Sequence, residues 1–364
     1  MKTSLSPLPH TSPALSRAST TLEIGIIPGE GIGPELTDIC LRLLERIARR
    51  RQWTLKIEHC GPVGLAAREC LGKDFPADSV RFVQNVFSRG GAILAGAGGG
   101  RFVYDMRRQF RLDWKLNPIR QFRGLARRNH PFDILVVRDN REGLYQGNAQ
   151  VEETPAGRIV HHTLVTSTEA ARTVTDKAAA LAATRQGRLT IVAKESGLPE
   201  VSRIWREAGE ASATAHGVEW HMLEIDFAAY QLVQSPQTFD VVAVPNAFGD
   251  ILADLGGIVM GSRGTTYGAS FTTDGFGVFQ TNHGAAYDLA DRDTANPAGQ
   301  IFSLAMMLRE SFGQTEAATR LEDAVQDVWA SGLHTPDLDL PGGRPCGTSA
   351  FAAAVDDRLR ELLE

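Results

Sequence analysis

No stretch of these 364 residues approaches the roughly 18–20 consecutive apolar residues of a membrane helix. Positive charge is not in surplus either: 38 basic residues stand against 43 acidic ones, for a net charge of -5. That balance excludes the broad positive field used to hold nucleic acid or an acidic membrane surface. Cysteine is sparse. Cys40, Cys60, Cys70 and Cys346 show no CxxC spacing and no dense framework, so free thiols in a reducing, cytoplasmic setting are expected. Lysine is scarce beside arginine. It occurs only at Lys2, Lys56, Lys73, Lys115, Lys177 and Lys194, which makes a lysine inside a motif conspicuous. Internal repeats are absent. The rest of the composition, 43% hydrophobic and 22% charged, is that of a globular protein, and the length predicts two domains.

Residues 1–20, rich in Ser, Pro and Thr and free of acid, read as a disordered tail. They hold no continuous apolar segment for secretion, and scattered prolines oppose an amphipathic transit helix. Order is expected from Thr21. Leu22–Ile27 reads as a buried strand, followed by PGEGIGPE and a helix with apolar residues at helical spacing over Leu36–Arg49. Further strands are expected at Ala92–Leu94, Asp133–Val137, Leu189–Ala193, Val218–Leu223 and Asp240–Val244. Helices are expected at Ser167–Thr184, Pro199–Glu210, Asp226–Val233, Asn296–Gly313, Thr315–Ser331 and Ser349–Leu363. This alternation predicts an α/β protein with a largely parallel sheet.

Two segments carry chemistry. Gly29, Gly31 and Gly33 lie between strand and helix, where backbone N–H groups can approach a phosphate. The spacing is GxGxG, without the GxGxxG fingerprint or a P-loop lysine, so a tight structural turn explains it equally well. The second segment is NAFGDILADLGGIVMGSRG at 246–264. Asp250 and Asp254 are four apart, which on a helix puts both carboxylates on one face. Like charges at that spacing repel unless water or a cation separates them, and hard oxygen donors suit Mg2+ or Mn2+. The apolar, glycine-rich surroundings are odd for a merely solvated face. Asp226 opens another helix, where it reads as an N-cap, a ligand, or both.

NAFGDILADLGG…GSRG resembles the NxFGDIlsDe…GSlG signature of the β-decarboxylating dehydrogenases, the family of isocitrate, isopropylmalate, homoisocitrate and tartrate dehydrogenases. Other motifs agree in order. PGEGIGPE at 28–35 is similar to PGDGIGPE, and RDNREGLYQG at 138–147 to RENTEGxYxG. HGAAYDLADRDTANP at 283–297 is similar to HGSAPDIAGKxxANP, and FSLAMMLRESFG at 302–313 to the helix that follows it. The resemblance implies the isopropylmalate/isocitrate dehydrogenase-like α/β fold, two domains with a cleft between them. Residues 21–112 plus 261–364 would form the cofactor-side domain, and 113–260 the middle domain that pairs into a homodimer with shared active sites. Nucleic acid and membrane have no place in it.

The resemblance also implies roles. Asp250, Asp254 and, across the dimer, Asp226 would hold the metal. Lys194, in VAKES, would take the hydroxyl proton from a neighbouring subunit's substrate, with a lowered pKa beside metal and cations. Tyr145 would protonate the enolate carbon. Arg107 and Arg138 would clamp the malate carboxylates. His283 with Gly284 would pack on adenine, Asn296 would bond its edge, and Asp288 would favour NAD by accepting the ribose hydroxyls and repelling a 2′-phosphate.

Four positions depart from the pattern. The second substrate arginine, from ANxRP, is Asn117, with Lys115 as a candidate for the missing charge. The asparagine of VxKxN is Ser196, the acid of ExxHG is Gln280, and the aspartate of the first glycine loop is Glu30. The segment ahead of Arg107, which selects the third malate substituent, contains Arg101 and Tyr104 and so suggests a distal anion such as that of isocitrate, homoisocitrate or phosphonomethylmalate. Alternatives are a tartrate-, malate- or isopropylmalate-type dehydrogenase, and a non-catalytic regulatory subunit of the same family.

Overall fold

The computed structural model describes residues 20–125 and 130–364. The tail expected over 1–20 lies outside them except for its last residue. In chain order the elements are β1 (Thr21–Ile27), α1 (Gly33–Arg51), β2 (Thr54–His59), α2 (Gly64–Leu71), α3 (Ala77–Ser88), β3 (Ala92–Ala95), α4 (Phe102–Phe110), β4 (Trp114–Arg120) and β5 (Asp133–Asp139). A hairpin of β6 (Ala149–Thr154) and β7 (Gly157–His162) follows, then α5 (Thr168–Ala183), β8 (Arg188–Ala193), α6 (Pro199–His216), β9 (Glu219–Glu224) and α7 (Ile225–Gln234). The chain continues through β10 (Val241–Val244), α8 (Asn246–Met260), β11 (Tyr267–Phe271), β12 (Gly277–Thr281), α9 (Ala298–Glu310), α10 (Thr315–Ala330) and α11 (Thr348–Leu363).

One ten-stranded sheet runs through the molecule in the order β2-β1-β3-β12-β11-β4-β5-β10-β8-β9. Its flanks are parallel, as the alternation predicts. Its centre is antiparallel, from β12 through β11 and β4 to β5. Strands β1, β3, β5, β8 and β10 are nearly continuous apolar runs because helices cover both faces. One half of the sheet uses strands from 21–112 and 261–364, and the other uses strands from 113–260.

Helix ends follow local chemistry. Ser167 Oγ accepts the Ala170 N–H at 3.2 Å and caps α5. Helix α6 outruns its expected end at Glu210 and reaches His216, with Ser212 and Ala213 buried in the extra turn. The N-cap of α7 is Glu224, so Asp226 sits inside the first turn rather than capping it. Its carboxylate is thereby left to a side-chain partner.

The sheet centre carries a buried charge. Arg120 on β4, Arg309 on α9 and Glu322 on α10 are at most 5% exposed. Arg309 donates two hydrogen bonds to Glu322, at 2.9 and 3.0 Å, and Arg120 approaches the same carboxylate at 3.3 Å while its guanidinium stacks over Phe122 and Phe302. Glu322→Gln leaves two buried guanidiniums uncompensated. Unfolding in guanidinium chloride should register a loss of about 3–5 kcal/mol, the usual cost of breaking a buried ion pair from one side. A loss below about 1 kcal/mol would show that the two arginines are satisfied without it.

Candidate active site

The site is built where β4, β5, α4 and α8 meet. Lys115 on β4 is paired in register with Arg138 on β5, and both are buried. Helix α8 crosses β5 closely because Gly249 has no side chain: a β-carbon there would fall 2.7 Å from Arg138 Cγ. Arg138 passes beneath the helix and donates from Nη2 to Asn246 Oδ1 at 2.8 Å and from Nη1 to the Asp250 carboxylate. Asn246 in turn donates to the Glu142 carbonyl at 2.8 Å, fixing the loop that leads to Tyr145. Asp254, one turn beyond Asp250, accepts from Arg263 at 2.9 Å. Both aspartates of α8 are about half exposed on the cleft side, which explains polar residues in an otherwise apolar helix. Their donor chemistry suits a hard divalent cation.

Arg107 comes from α4. Asp74 accepts the Arg101 backbone N–H and so fixes the start of that helix. Arg107 and Lys115 are 7% and 6% exposed, and neither forms an ion pair with a described residue. Burial, then neighbouring positive charge, pushes both below their ordinary pKa values. Tyr145 goes the other way: burial, then the Asp250 carboxylate, raises its phenol pKa and keeps it protonated. Arg101, Tyr104, Leu144, Tyr145 and His162 line a cleft of ≈ 400 Å³. The Tyr104 ring meets Tyr145 edge-on at 5.9 Å, with the guanidiniums of Arg101 and Arg107 5.4 and 5.5 Å from its centre. His162 donates to the Leu144 carbonyl oxygen at 2.6 Å.

Asn117 is fully buried. It donates to Asn282 Oδ1 at 2.7 Å, and its own Oδ1 has no partner. The amide is therefore tied to the strand-end loop rather than paired with an acid. Gln280 and Ser196 also have internal uses. Gln280 donates to the Gly96 carbonyl at 2.8 Å, and Ser196 donates to Glu224 at 2.7 Å.

Lys194 and Asp226 pair with each other. Lys194 Nζ donates to Asp226 at 3.0 Å and to Glu224. No hydrogen bond or ion pair among the described residues joins them to Asp250 or Asp254, and no three acids or histidines among those residues form a metal cluster. Within one chain, hydrogen bonds to Glu224 and Asp226 raise the Lys194 pKa; the lowering expected from sequence is that of a lysine beside a metal and the cations of a neighbouring subunit's site. The cations that could lower it surround Asp250 instead.

On the cofactor side, the glycine loop proves to be a structural turn. Its Glu30, Ile32 and Gly33 N–H groups donate to Ala97, Ala285 and Glu30 carbonyls, and Gly29 and Gly31 have left-handed φ of 79° and 59°. His283 Nε2 is buried without a partner among the described residues, and burial lowers its pKa, leaving a neutral ring. Gly284 faces open space, and Asp288 is exposed without an ion pair among the described residues. An orphaned ring nitrogen, an open glycine and an unpaired carboxylate fit a dinucleotide. Asn296 is already engaged: its side chain donates to Asp337 at 3.0 Å and accepts the Ala298 N–H at 3.0 Å. Asn246, Leu144, His162 and Asp337 escaped the sequence reading. Only Asn246 carried a signal, one helical turn before Asp250.

Asp139, next to Arg138, is 2% exposed, and burial raises its carboxyl pKa to about 6. The fold therefore favours the protonated form. Its stabilising contribution is complete below the unfolded value near 3.8 and is lost as pH rises through about 6. Asp139→Asn keeps the acceptor for the Arg141 N–H. Denaturation midpoints should show the variant more stable than wild type by about 2–3 kcal/mol near pH 8 and equal to it near pH 3.5. Equal stability at both pH values would mean that the ionised carboxylate is solvated.

Comparison with known proteins agrees with this geometry. Residues 23–355 match the family model described as isocitrate/isopropylmalate dehydrogenase. The 3-isopropylmalate dehydrogenase of Heyndrickxia coagulans is 32% identical over 94% of this chain and 96% of its own length. That of Halalkalibacterium halodurans is 34% identical over 94% and 99%. The crystal structure of isocitrate dehydrogenase from Methylococcus capsulatus superposes with a TM-score of 0.84 and 31% identity, over 93% of this chain and 99% of that one. The chain is a β-decarboxylating dehydrogenase and belongs to the isocitrate/isopropylmalate dehydrogenase family.

Proposed function

We propose that the enzyme oxidatively decarboxylates a 3-substituted malate bearing a distal anionic group, using NAD and a divalent metal, Mg2+ or Mn2+. The carrying observation is the pair of buried basic side chains Arg107 and Lys115, neither in an ion pair with a described residue, beside Arg138. Unpaired charge in a closed cleft is costly, so the ligand that belongs there is a carboxylate-rich anion. Lys115 stands where the clamp lost an arginine at Asn117. Arg101 has no ion pair among the described residues and borders the cleft beside Tyr104, which supports a further anion on the substrate.

Asp250 and Asp254 would hold the metal, and His283, Gly284, Asp288 and the segment at Asn296 would hold NAD. When bound, the metal supplies Lewis-acid stabilisation of negative charge on the substrate oxygen, and NAD accepts the hydride. Arg107, Arg138 and Lys115 orient the carboxylates. Tyr145 keeps its proton until the enolate carbon needs it. Removal of the hydroxyl proton falls to Lys194, which among the described residues pairs with Glu224 and Asp226 and bonds none of the cleft groups. A second copy would complete the site, with Lys194 of the partner subunit and Asp226 of the partner subunit reaching in. The middle segment has apolar surface for such pairing: Val151, Ile159 and Val160 on the hairpin, Phe227 and Tyr230 on α7, and Ile251 and Ile258 on α8 are all exposed. A lone hairpin of this kind is marginal in water.

A substrate panel tests the specificity. Purified protein with Mn2+ and NAD+ should reduce NAD+ with isocitrate, homoisocitrate or phosphonomethylmalate in preference to isopropylmalate, malate or tartrate. Arg101→Ala should cost about 1.5–3 kcal/mol of binding for the anionic substrate and little for an analogue lacking the distal charge. The curated relatives named above favour isopropylmalate as the second reading, and a clear preference for it would overturn the distal-anion assignment.

Subunit sharing has its own test. Lys194→Met should block oxidation, and Tyr145→Phe should mainly slow reprotonation after the 2-oxo intermediate is supplied. Mixing the two inactive variants, with subunit exchange, should restore part of the activity. No recovery in exchanged mixtures would place both groups in one subunit's site.

A further inference from the structure

We propose that Tyr287 and Glu30 form a latch that ties the loop carrying Asp288 to the loop leading into Arg101, making Tyr287 a positioning residue for the dinucleotide. Three loops meet at one edge of the sheet, after β1, β3 and β12. The first two are joined by the Glu30 N–H bonding the Ala97 carbonyl at 2.7 Å, and the first and third by the Ile32 N–H bonding the Ala285 carbonyl at 2.9 Å.

The Glu30 carboxylate is buried among fixed donors. Its Oε2 accepts the Leu65 and Gly99 N–H groups at 3.1 and 2.9 Å, and its Oε1 accepts the Ala66 N–H at 2.8 Å. The Tyr287 ring is half exposed, but its hydroxyl turns inward. It lies only 2.4 Å from where a β-carbon on Gly99 would be, and Glu30 Oε2 lies 3.3 Å from the same point. The hydroxyl and the carboxylate thus face one another across the space beside Gly99. Burial, then the nearby Glu30 carboxylate, raises the phenol pKa, so the proton a bond between them would need stays in place.

The loop needs holding. Ala286, Asp291 and Asp293 all adopt left-handed φ, of 42°, 60° and 54°, without being glycine. Such backbone persists only where its surroundings impose it. At the far end Asp293 is pinned by Ser349, whose N–H and hydroxyl donate to its carboxylate at 2.6 and 2.9 Å. At the near end the latch precedes Asp288 by one residue. Glu30 stands where the pattern PGDGIGPE has aspartate, and Tyr287 where HGSAPDI has proline. Aspartate is one methylene too short for the reach, and proline has no hydroxyl. The two departures therefore meet at one point, the space beside Gly99.

The inference rests on reading 283–296 as the cofactor loop, so the experiment has two arms. Hydrogen–deuterium exchange on the free full-length protein reads the latch alone, and calorimetric titration with NAD+ reads the cofactor. Tyr287→Phe should speed exchange in both 283–293 and 96–101, raise the NAD+ Kd about 3–10-fold, and leave kcat within about twofold. Glu30→Asp should do the same. The double variant Glu30→Asp/Tyr287→Pro should lose less affinity than the product of its two single changes. Unchanged exchange in Tyr287→Phe, or fully multiplicative losses in the double variant, would overturn the latch. Wild type that fails to bind NAD+ would instead remove the cofactor reading, and the exchange result would then decide the latch by itself.

Discussion

A strand buried on both faces has no water to solvate a charge, and β4 carries Lys115, Asn117 and Arg120 through the centre of the sheet. Each must find its compensation inside the protein or in a ligand. Alternation sends Arg120 to one face, where Glu322 and Arg309 complete an ionic cluster between β4, α9 and α10. Lys115 and Asn117 share the other face. Asn117 finds an amide, and Lys115 finds only neighbouring arginines and the more distant carboxylates of α8. The structural face has a carboxylate built into it, shared by both arginines. The cleft face is left open, and that asymmetry makes it a site for an anion.

Arg138 shows how the open face is kept in order. Gly249 admits it beneath α8, Asn246 grips two of its nitrogens, and Asp250 takes the third. The same asparagine fixes the carbonyl of Glu142 and hence the approach to Tyr145. One close helix–strand crossing thus fixes Arg138, Asp250 and Tyr145, the groups proposed as carboxylate clamp, metal donor and proton donor, relative to one another. Further out, on α4 and the hairpin, Arg101, Tyr104 and His162 border the cleft, where the proposed distal group of the substrate would lie.

Most flanking strands were legible because a short, uninterrupted apolar run between two helical patterns fits little besides a strand covered on both faces. The centre was not. WKLNPIR contains a proline and three polar residues, a composition that argues against a buried strand unless its partners are known. Strands β11 and β12 are short and contain glycine, and the hairpin is exposed on almost every residue, so neither offers a clear period. The carboxylates of α8 were readable from spacing and the arginine clamp from motif order. His162 and Asp337 were not, since they reach the site through contacts remote in sequence. The pairing of Lys194 with Glu224 and Asp226 within one chain was hidden for the same reason: they lie on another strand and helix.

The proton-holding and anion-binding properties of the cleft have a common origin. Desolvation disfavours whichever form of a group is charged, so it raises the phenol of Tyr145 and lowers the ammonium of Lys115 and the guanidinium of Arg107. The first effect keeps a proton on the residue placed to donate one. The second leaves the cations of the cleft poorly compensated on their own, and a bound dicarboxylate removes that penalty. Polar surroundings alone could not do both, because water would stabilise the cations without any ligand and would let the phenol titrate normally. The apolar, glycine-rich face of α8 that looks out of place beside two aspartates is therefore part of the electrostatics. Its glycines let the helix close over Arg138 and Ile119, which keeps the base of the site buried while the two carboxylates remain reachable.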